Sequence, residues 1–361
     1  TRTMTTYSVI TGTGIYLPKK KVSNSDFLDF EFYESNGKPI SKDNQYVVDK
    51  FQEITTIEER RYVADDLVAS DIAYFAAKEA IADAQLDAET LDYIIVAHNF
   101  GDVKHGSNRS DMVPALAARV KHKLKIKNPE CVAYDVPFGC PGWLQGMIQA
   151  DYYIKSGDAK KILVIGTETL SRVIDIHDRD SMIYADGAGA TILESREQDT
   201  RTGILAHKTR SDTYRYAEML TMGCSYNITE ENKKDLYLKM NGRRLYQYAL
   251  ETVPLSIKAC IDKAGVDISD VKKILIHQAN GKMDDAIVDR LYKLYGYEEA
   301  PDDVMPMIIS WLGNSSVATV PTLLDLILKN KVADHKIEEG DLVIFASVGA
   351  GMNINAAIYQ F

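Results

Sequence analysis

Paired cysteines are missing from this chain. Its four cysteines, Cys131, Cys140, Cys224 and Cys260, are scattered without any C-x-x-C spacing, which argues against a disulfide framework and against a zinc site. The seven histidines are equally dispersed. No H-E-x-x-H run sets two ligands on one helical face, so no metal is expected. Positive charge is short as well: 42 Lys and Arg against 52 Asp and Glu give a formal net charge of −10. Phosphate affinity needs a concentrated basic surface, so a nucleic-acid partner is not expected. No apolar run approaches the roughly 20 residues that span a bilayer, and Thr1 to Thr6 lack the apolar core of a signal peptide. The expectation is a soluble cytoplasmic protein with no membrane segment.

What is present is core-forming material. With 361 residues, 45% of them hydrophobic, the chain is long enough for two domains or for one doubled domain. Doubling is visible at a spacing of 180 residues. Lys78-Glu79-Ala80-Ile81-Ala82-Asp83-Ala84 faces Lys258-Ala259-Cys260-Ile261-Asp262-Lys263-Ala264, and Tyr93-Ile94-Ile95-Val96 faces Lys273-Ile274-Leu275-Ile276. Each copy reads as an amphipathic helix ending near Gln85 or Gly265, a short acidic loop and a β-branched strand. The offset returns where Lys161-Ile162-Leu163-Val164-Ile165 faces Asp341-Leu342-Val343-Ile344-Phe345. Continuous apolar runs of this kind suit strands covered on both faces. Strands alternating with helices predict two similar α/β halves, residues 1–195 and 196–361, with the polar run Glu194 to Asp199 at the junction. Tyr33 to Gln45, with Asn36-Gly37-Lys38-Pro39, reads as a loop excursion from the first half.

The two copies differ where chemistry is possible. Gly139-Cys140-Pro141-Gly142 in one half matches Gly313-Asn314-Ser315-Ser316 in the other, and Ala97 is matched by His277. Cys140 precedes a helix that opens with Pro141, and a thiol at a helix N-terminus is placed to ionise. Taken alone, Cys140 also fits a small core residue. Likewise, a lone His277 fits a hydrogen-bonded strand end, and Asn314 a helix N-cap. The run Ser347-Val348-Gly349-Ala350-Gly351 can present backbone N–H groups to an oxyanion or form a plain turn between strands.

Gly139-Cys140-Pro141-Gly142, Asp186-Gly187-Ala188-Gly189-Ala190, His277-Gln278-Ala279-Asn280 and Gly313-Asn314-Ser315-Ser316, in that order over nearly the whole chain, resemble the ketoacyl-ACP synthase III family of condensing enzymes. The resemblance implies an internally duplicated thiolase-like fold in five layers, α-β-α-β-α, and a homodimer. It implies that Cys140 takes an acyl group from a thioester, and that a malonyl-type or β-ketoacyl extender then condenses with it by Claisen chemistry. His277 and Asn314 would donate to the extender's thioester oxygen, while Cys140 N–H and the Gly349, Ala350 and Gly351 loop would hold the other oxyanion. The substrates would be phosphopantetheine thioesters on CoA or acyl carrier protein, with no further cofactor.

Other positions refine that expectation. Relatives clamp the adenine of CoA with a Trp and an Arg, whereas Lys50-Phe51-Gln52-Glu53-Ile54 has neither. Carrier protein is therefore the expected donor, docking on Lys272, Lys273, Lys282 and Arg290. Arg179 and Lys282 match positions that touch the CoA or carrier arm. Val113 matches the residue lining the acyl pocket across the family's dimer interface, where a small side chain admits chains longer than acetyl. A subgroup that joins two fatty-acid-derived chains into dialkylresorcinol precursors is the runner-up reading. A catalytically silent partner subunit is the third.

Overall fold

A computed structural model describes residues 3–361. The first half contributes β1 (Thr5–Tyr16), β2 (Lys20–Ser23), α1 (Asn44–Thr55), β3 (Glu59–Tyr62), α2 (Ala69–Asp83), β4 (Tyr93–Ala97), α3 (Leu116–Lys123), β5 (Val132–Val136), α4 (Gly142–Lys155), β6 (Lys161–Thr169) and β7 (Asp186–Gln198). The second half contributes β8 (Gly203–Ser211), α5 (Thr213–Tyr216), β9 (Leu220–Gly223), β10 (Tyr237–Met240), α6 (Gly242–Ala264), β11 (Val271–Ile276), α7 (Gly281–Lys293), α8 (Ile309–Leu312), α9 (Thr319–Leu328), β12 (Leu342–Gly349) and β13 (Asn353–Gln360).

Two sheets carry the repeat. One is ordered β1-β7-β6-β4-β5, the other β8-β13-β12-β11, so matched strands occupy matched places. Orientation matches too: β6 and β4 pair parallel, as do β12 and β11, while the pairs toward β1 and β8 are antiparallel. Only the counterpart of β5 is lost. There Val304 O still accepts from Ile274 N at 2.7 Å, but Pro306 cannot donate to a ladder.

Repetition extends to the turns. Gln85 and Gly265, 180 residues apart, both adopt positive φ, at 52° and 67°. Two residues later, Asp87 and Asp267 each accept from the backbone N–H two positions on, at 3.0 and 2.9 Å. A carboxylate bonded to its own following turn is a local structure that short polar loops form on their own, which is how the acidic loops in the sequence become identical corners.

Five layers result. Helices α2 and α3 pack on the outer face of the first sheet, α4 and α9 fill the space between the sheets, and α6 with α7 covers the second sheet. The apolar pattern follows those places. Along α6, Leu245, Ala249, Val253, Ile257, Cys260 and Ala264 are buried at helical spacing and polar residues take the other side. Within α4, Trp143, Leu144, Met147, Ile148 and Ile154 are all buried, because a helix between two sheets has little free face. Each such side chain removed from water contributes about 1.5–3 kcal/mol.

Three sequence expectations need correction. The division at residues 195 and 196 falls inside β7, whose polar end stays extended because Thr5 to Ser8 pair with Ser195 to Gln198; the chain changes sheets between Gln198 and Gly203. Pro141 is the residue before α4 rather than its first. Asn314 does not open a helix: it lies in an extended bridge to Tyr184, and a turn at Ser316–Ala318 intervenes before α9.

Just after the His277 strand end, α7 carries an oddity. Asp284 is fully buried, and both its carboxylate oxygens lack a hydrogen-bond partner among the described residues. Burial, followed by the nearby Asp285, holds its carboxyl well above the usual carboxylate range. A raised pKa in the folded state means that the unfolded chain gives up this proton first, so stability falls as pH rises above the ordinary Asp range. Asp284→Leu should therefore stabilise the protein at pH 7 by about 1–3 kcal/mol, the cost of an unpaired buried polar group. The gain in Tm should shrink toward pH 4. An unchanged or lower Tm at pH 7 would contradict this account of Asp284.

Candidate active site

The carboxyl ends of the central strands of both sheets meet, as ligand sites in such sheets do. From the first sheet come Asn99 after β4, Cys140 between β5 and α4, and Glu168 near the end of β6; from the second come His277 after β11 and the Gly349–Gly351 turn after β12. Backbone meets backbone here. Gly139 has φ +65°, and a Cβ on it would lie 2.7 Å from both N and O of Ala350. A Cβ on Gly349 would lie 2.5 Å from Cys140 N. No larger residue fits either position, so the glycines are what allow the turn of the second half to lie against the thiol of the first.

Cys140 is held from two directions. Behind it, Asn99 Oδ1 accepts from Gly139 N at 3.0 Å and Asn99 Nδ2 donates to Gly139 O at 3.2 Å. Glu168 Oε1 in turn accepts from Asn99 N and Nδ2 at 2.7 and 3.0 Å. In front, Ser316 Oγ donates to Cys140 Sγ at 3.5 Å, while Ser316 N donates to Asn314 Oδ1 at 2.8 Å. Because an N–H must point at the amide oxygen, this bond fixes the Asn314 side chain with Nδ2 free to donate elsewhere. The loop bearing Asn314 is set by Gln278, whose Nε2 donates to Pro306 O at 2.9 Å and whose Oε1 accepts from Ile308 N at 2.8 Å.

Burial governs the protonation states. The Cys140 thiol is pushed up to about 11, by burial first and the Glu168 charge in addition, against lowering by the Ser316 hydroxyl and its own N–H. The thiolate expected from a helix N-terminus is therefore not the resting form. Glu168 itself is pushed up to about 8 by burial, despite its bonds from Asn99. Burial alone takes His277 down to about 4. His277 is thus neutral at pH 7, and its buried Nδ1 has no partner among the described residues.

Two cavities adjoin the site. An inner one of about 180 Å³ is lined by Cys140, Asn314, Ser316, Ala350 and Asn99, with an apolar wall that includes Phe100, Leu170, Tyr184, Leu220, Met222 and Leu238. An outer one of about 520 Å³ runs between α1, α6 and the start of α7, past Val47, Phe51, Ile54, Leu245 and Met283. Asn314 is in the wall of both. The other cysteines line neither.

The remaining sequence-chosen residues separate. Arg179 lines the outer cavity, whereas Lys282 is exposed on α7 outside its lining. Val113 is 89% exposed and lines neither cavity of its own chain. Lys273, expected on a docking surface, is 2% exposed; its Nζ donates to Asp303 O and meets His335 Nδ1 at 2.9 Å. Lys42, Lys50 and Arg243, none of them expected as site cations, line the outer cavity instead. Asn99, Glu168 and Ser316 were also missed; of these only Ser316 had a signal, in its Gly-Asn-Ser-Ser run. Among the described residues, no group of His, Cys, Asp and Glu could hold a metal ion.

A thiol kept neutral by burial and a nearby carboxylate should alkylate slowly. At pH 8, iodoacetamide should modify Cys140 more slowly than an ordinary exposed cysteine. Glu168→Gln keeps an acceptor for Asn99 but removes the charge, and should accelerate this reaction several-fold. An unchanged rate would show that Glu168 does not act on the thiol.

The models for 3-oxoacyl-(acyl-carrier-protein) synthase III and for its C-terminal region match residues 134–213 and 261–361. A beta-ketoacyl-(acyl-carrier-protein) synthase III of Xanthomonas euvesicatoria pv. vesicatoria is 31% identical over 98% of this chain and 98% of its own length. One from Caulobacter vibrioides is 32% identical over 98% of this chain and 99% of its own. The crystal structure of 3-oxoacyl-(acyl-carrier-protein) synthase III from Aquifex aeolicus superposes with a TM-score of 0.77 at 28% identity, covering 98% of this chain and 100% of that one. With doubled sheets, a thiol at their junction and relatives matched over nearly their full length, the chain belongs to the 3-oxoacyl-(acyl-carrier-protein) synthase III family of thiolase-fold condensing enzymes.

Proposed function

We propose that the protein is a condensing acyltransferase in which Cys140 carries the acyl group and the two cavities hold the two substrates in turn. The observation that carries this reading is the shared wall: Asn314 borders both cavities, and Cys140 borders the inner one. The acyl chain lies in the apolar inner cavity. The thioester arm enters by the outer cavity, whose cations Lys42, Lys50, Arg179 and Arg243 suit a phosphate and an acidic carrier protein.

The chemistry follows from the protonation states. Transfer to Cys140 begins from a thiol, so its proton leaves as the sulfur attacks the donor carbonyl and is taken up by the carrier sulfur when the old thioester bond breaks. Cys140 N–H and the N–H groups of the Gly349, Ala350 and Gly351 turn hold the oxyanion that forms. In the second step a malonyl-type extender loses CO2, and neutral His277 together with Asn314 Nδ2 donates to the enolate oxygen. The carbanion then attacks the acyl-enzyme and releases Cys140. Neutral His277 suits this role, since an imidazole at about 4 donates without taking the charge away from the enolate. The enzyme acts in the cytoplasm as a homodimer, with Val113 reaching the acyl pocket of a second copy.

The runner-up, joining two fatty-acid-derived chains, is favoured by the apolar walls of the outer cavity. Ile40, Val47, Phe51, Ile54 and Leu245 leave room for an alkyl chain on the extender. It would show as faster turnover with a long β-ketoacyl extender than with a malonyl one.

The half-reactions separate the roles. His277→Ala should still be acylated from an acyl thioester, but CO2 release from a malonyl thioester should fall by about 100-fold or more, the loss seen when one such donor is removed. Acylation that collapses while decarboxylation survives would reverse the assignment.

A further inference from the structure

One carboxyl group in the outer cavity has no task in the reading above. Lys239 on β10 is shared by two carboxylates, 2.7 Å from Asp175 and 3.1 Å from Asp178. Arg179, half exposed, lies 4.0 Å from Glu34. Asp180, in the turn Arg179–Ile183, is left over. Its N–H donates to Asp178 Oδ1 at 2.9 Å, but its carboxyl makes no hydrogen bond or ion pair among the described residues.

That carboxyl faces the substrate side. Asp180 lines the outer cavity together with Asn314, and the backbone ties the two together. The turn runs directly into the segment where Asn314 N donates to Ile183 O at 2.9 Å and Ala185 N donates to Asn314 O at 2.8 Å. A free acid thus stands on the same small frame as the amide assigned to the extender.

We propose that Asp180 is the specificity-determining residue that receives the free carboxylate of a malonyl-type extender, and that it does so as the neutral acid. Two carboxylates brought into contact away from water do not both stay ionised, whereas one proton shared between them makes a strong O–H···O bond. Binding must then take up a proton wherever Asp180 is ionised beforehand. Burial and the Asp178 charge hold Asp180 up to about 7, with Arg179 and Lys239 pulling the other way. The remaining titratable groups around it are the phenols of Tyr184 and Tyr226, which its charge helps to raise, and the exposed cations Lys42 just before α1, Lys50 on α1 and Arg243 on α6.

The proton balance agrees with the reaction. Acyl-Cys140, a carboxylate extender and one proton give the ketoacyl thioester, CO2 and the Cys140 thiol. An O–H bond forms on Asp180 as the extender binds and breaks after CO2 has left, its proton ending on the Cys140 sulfur that the condensation releases.

This inference rests on the condensation reading, and its test tells the two apart. The full chain is titrated calorimetrically with the malonyl amide of phosphopantetheine, in which NH replaces the thioester sulfur, in buffers of different ionisation heat. At pH 8 the wild type should take up about one proton per molecule bound, and affinity should fall about tenfold from pH 8 to pH 9. Asp180→Asn, still a donor, should bind with no uptake and little pH dependence, and Asp180→Ser should behave likewise if the Asn variant unfolds. The neutral acetoacetyl amide should bind without uptake. Binding with no uptake by the wild type, or with the same uptake by the variants, would overturn the role of Asp180 and leave the condensation reading standing. Failure of the wild type to bind the malonyl amide at all would overturn both.

Discussion

The constraint on which the site depends is a backbone contact between two halves of one chain. The turn after β12 lies so close to the loop before α4 that both sides must be glycine at the point of approach. Everything reactive is referred to that contact. It sets Gly349 against the backbone of Cys140 and Ala350 against Gly139, and the strand that carries His277 pairs with the strand that leads into that turn. A duplicated fold supplies two strand-end clusters facing one another, and divergence has put a thiol on one and an imidazole with an amide on the other.

The site is also dry. Burial lifts Cys140 to about 11 and Glu168 to about 8, and it lowers His277 to about 4. All three shifts favour the neutral form, so the resting site has little charge of its own. Charge appears when a thioester oxygen becomes an oxyanion or an enolate, and fixed N–H donors in such surroundings are worth more than they would be in water. The same surroundings leave the Asp284 carboxyl and Tyr184 Oη buried without hydrogen-bond partners among the described residues. These are stability costs located beside a functional site, where such costs are commonly found.

Much of this could be read from the residues. The repeat showed itself in two strands and even in the corners at Asp87 and Asp267, because periodicity and turn chemistry are local properties. Cys140, His277 and Asn314 stood out because the two copies differ there. What could not be read depends on neighbours distant in the chain. A helix N-terminus stabilises an anion by about 0.3–1 kcal/mol when exposed, whereas raising the thiol from 9.0 to about 11 corresponds to roughly 3 kcal/mol, so the expected thiolate lost to burial. Lys273 looked like one of a run of surface cations, but its strand is covered on both faces and its Nζ is spent on Asp303 O and His335. Glu194 to Gln198 looked like a linker because its polarity is that of a strand end protruding beyond the core.

The proposed roles of both cavities and of both sets of donors depend on Cys140 being the acyl carrier. The direct measurement is peptide mass mapping of the protein after incubation with an acyl thioester. The account predicts a single acyl adduct, on Cys140. An adduct instead on Cys131, Cys224 or Cys260, or full turnover by Cys140→Ala, would contradict it.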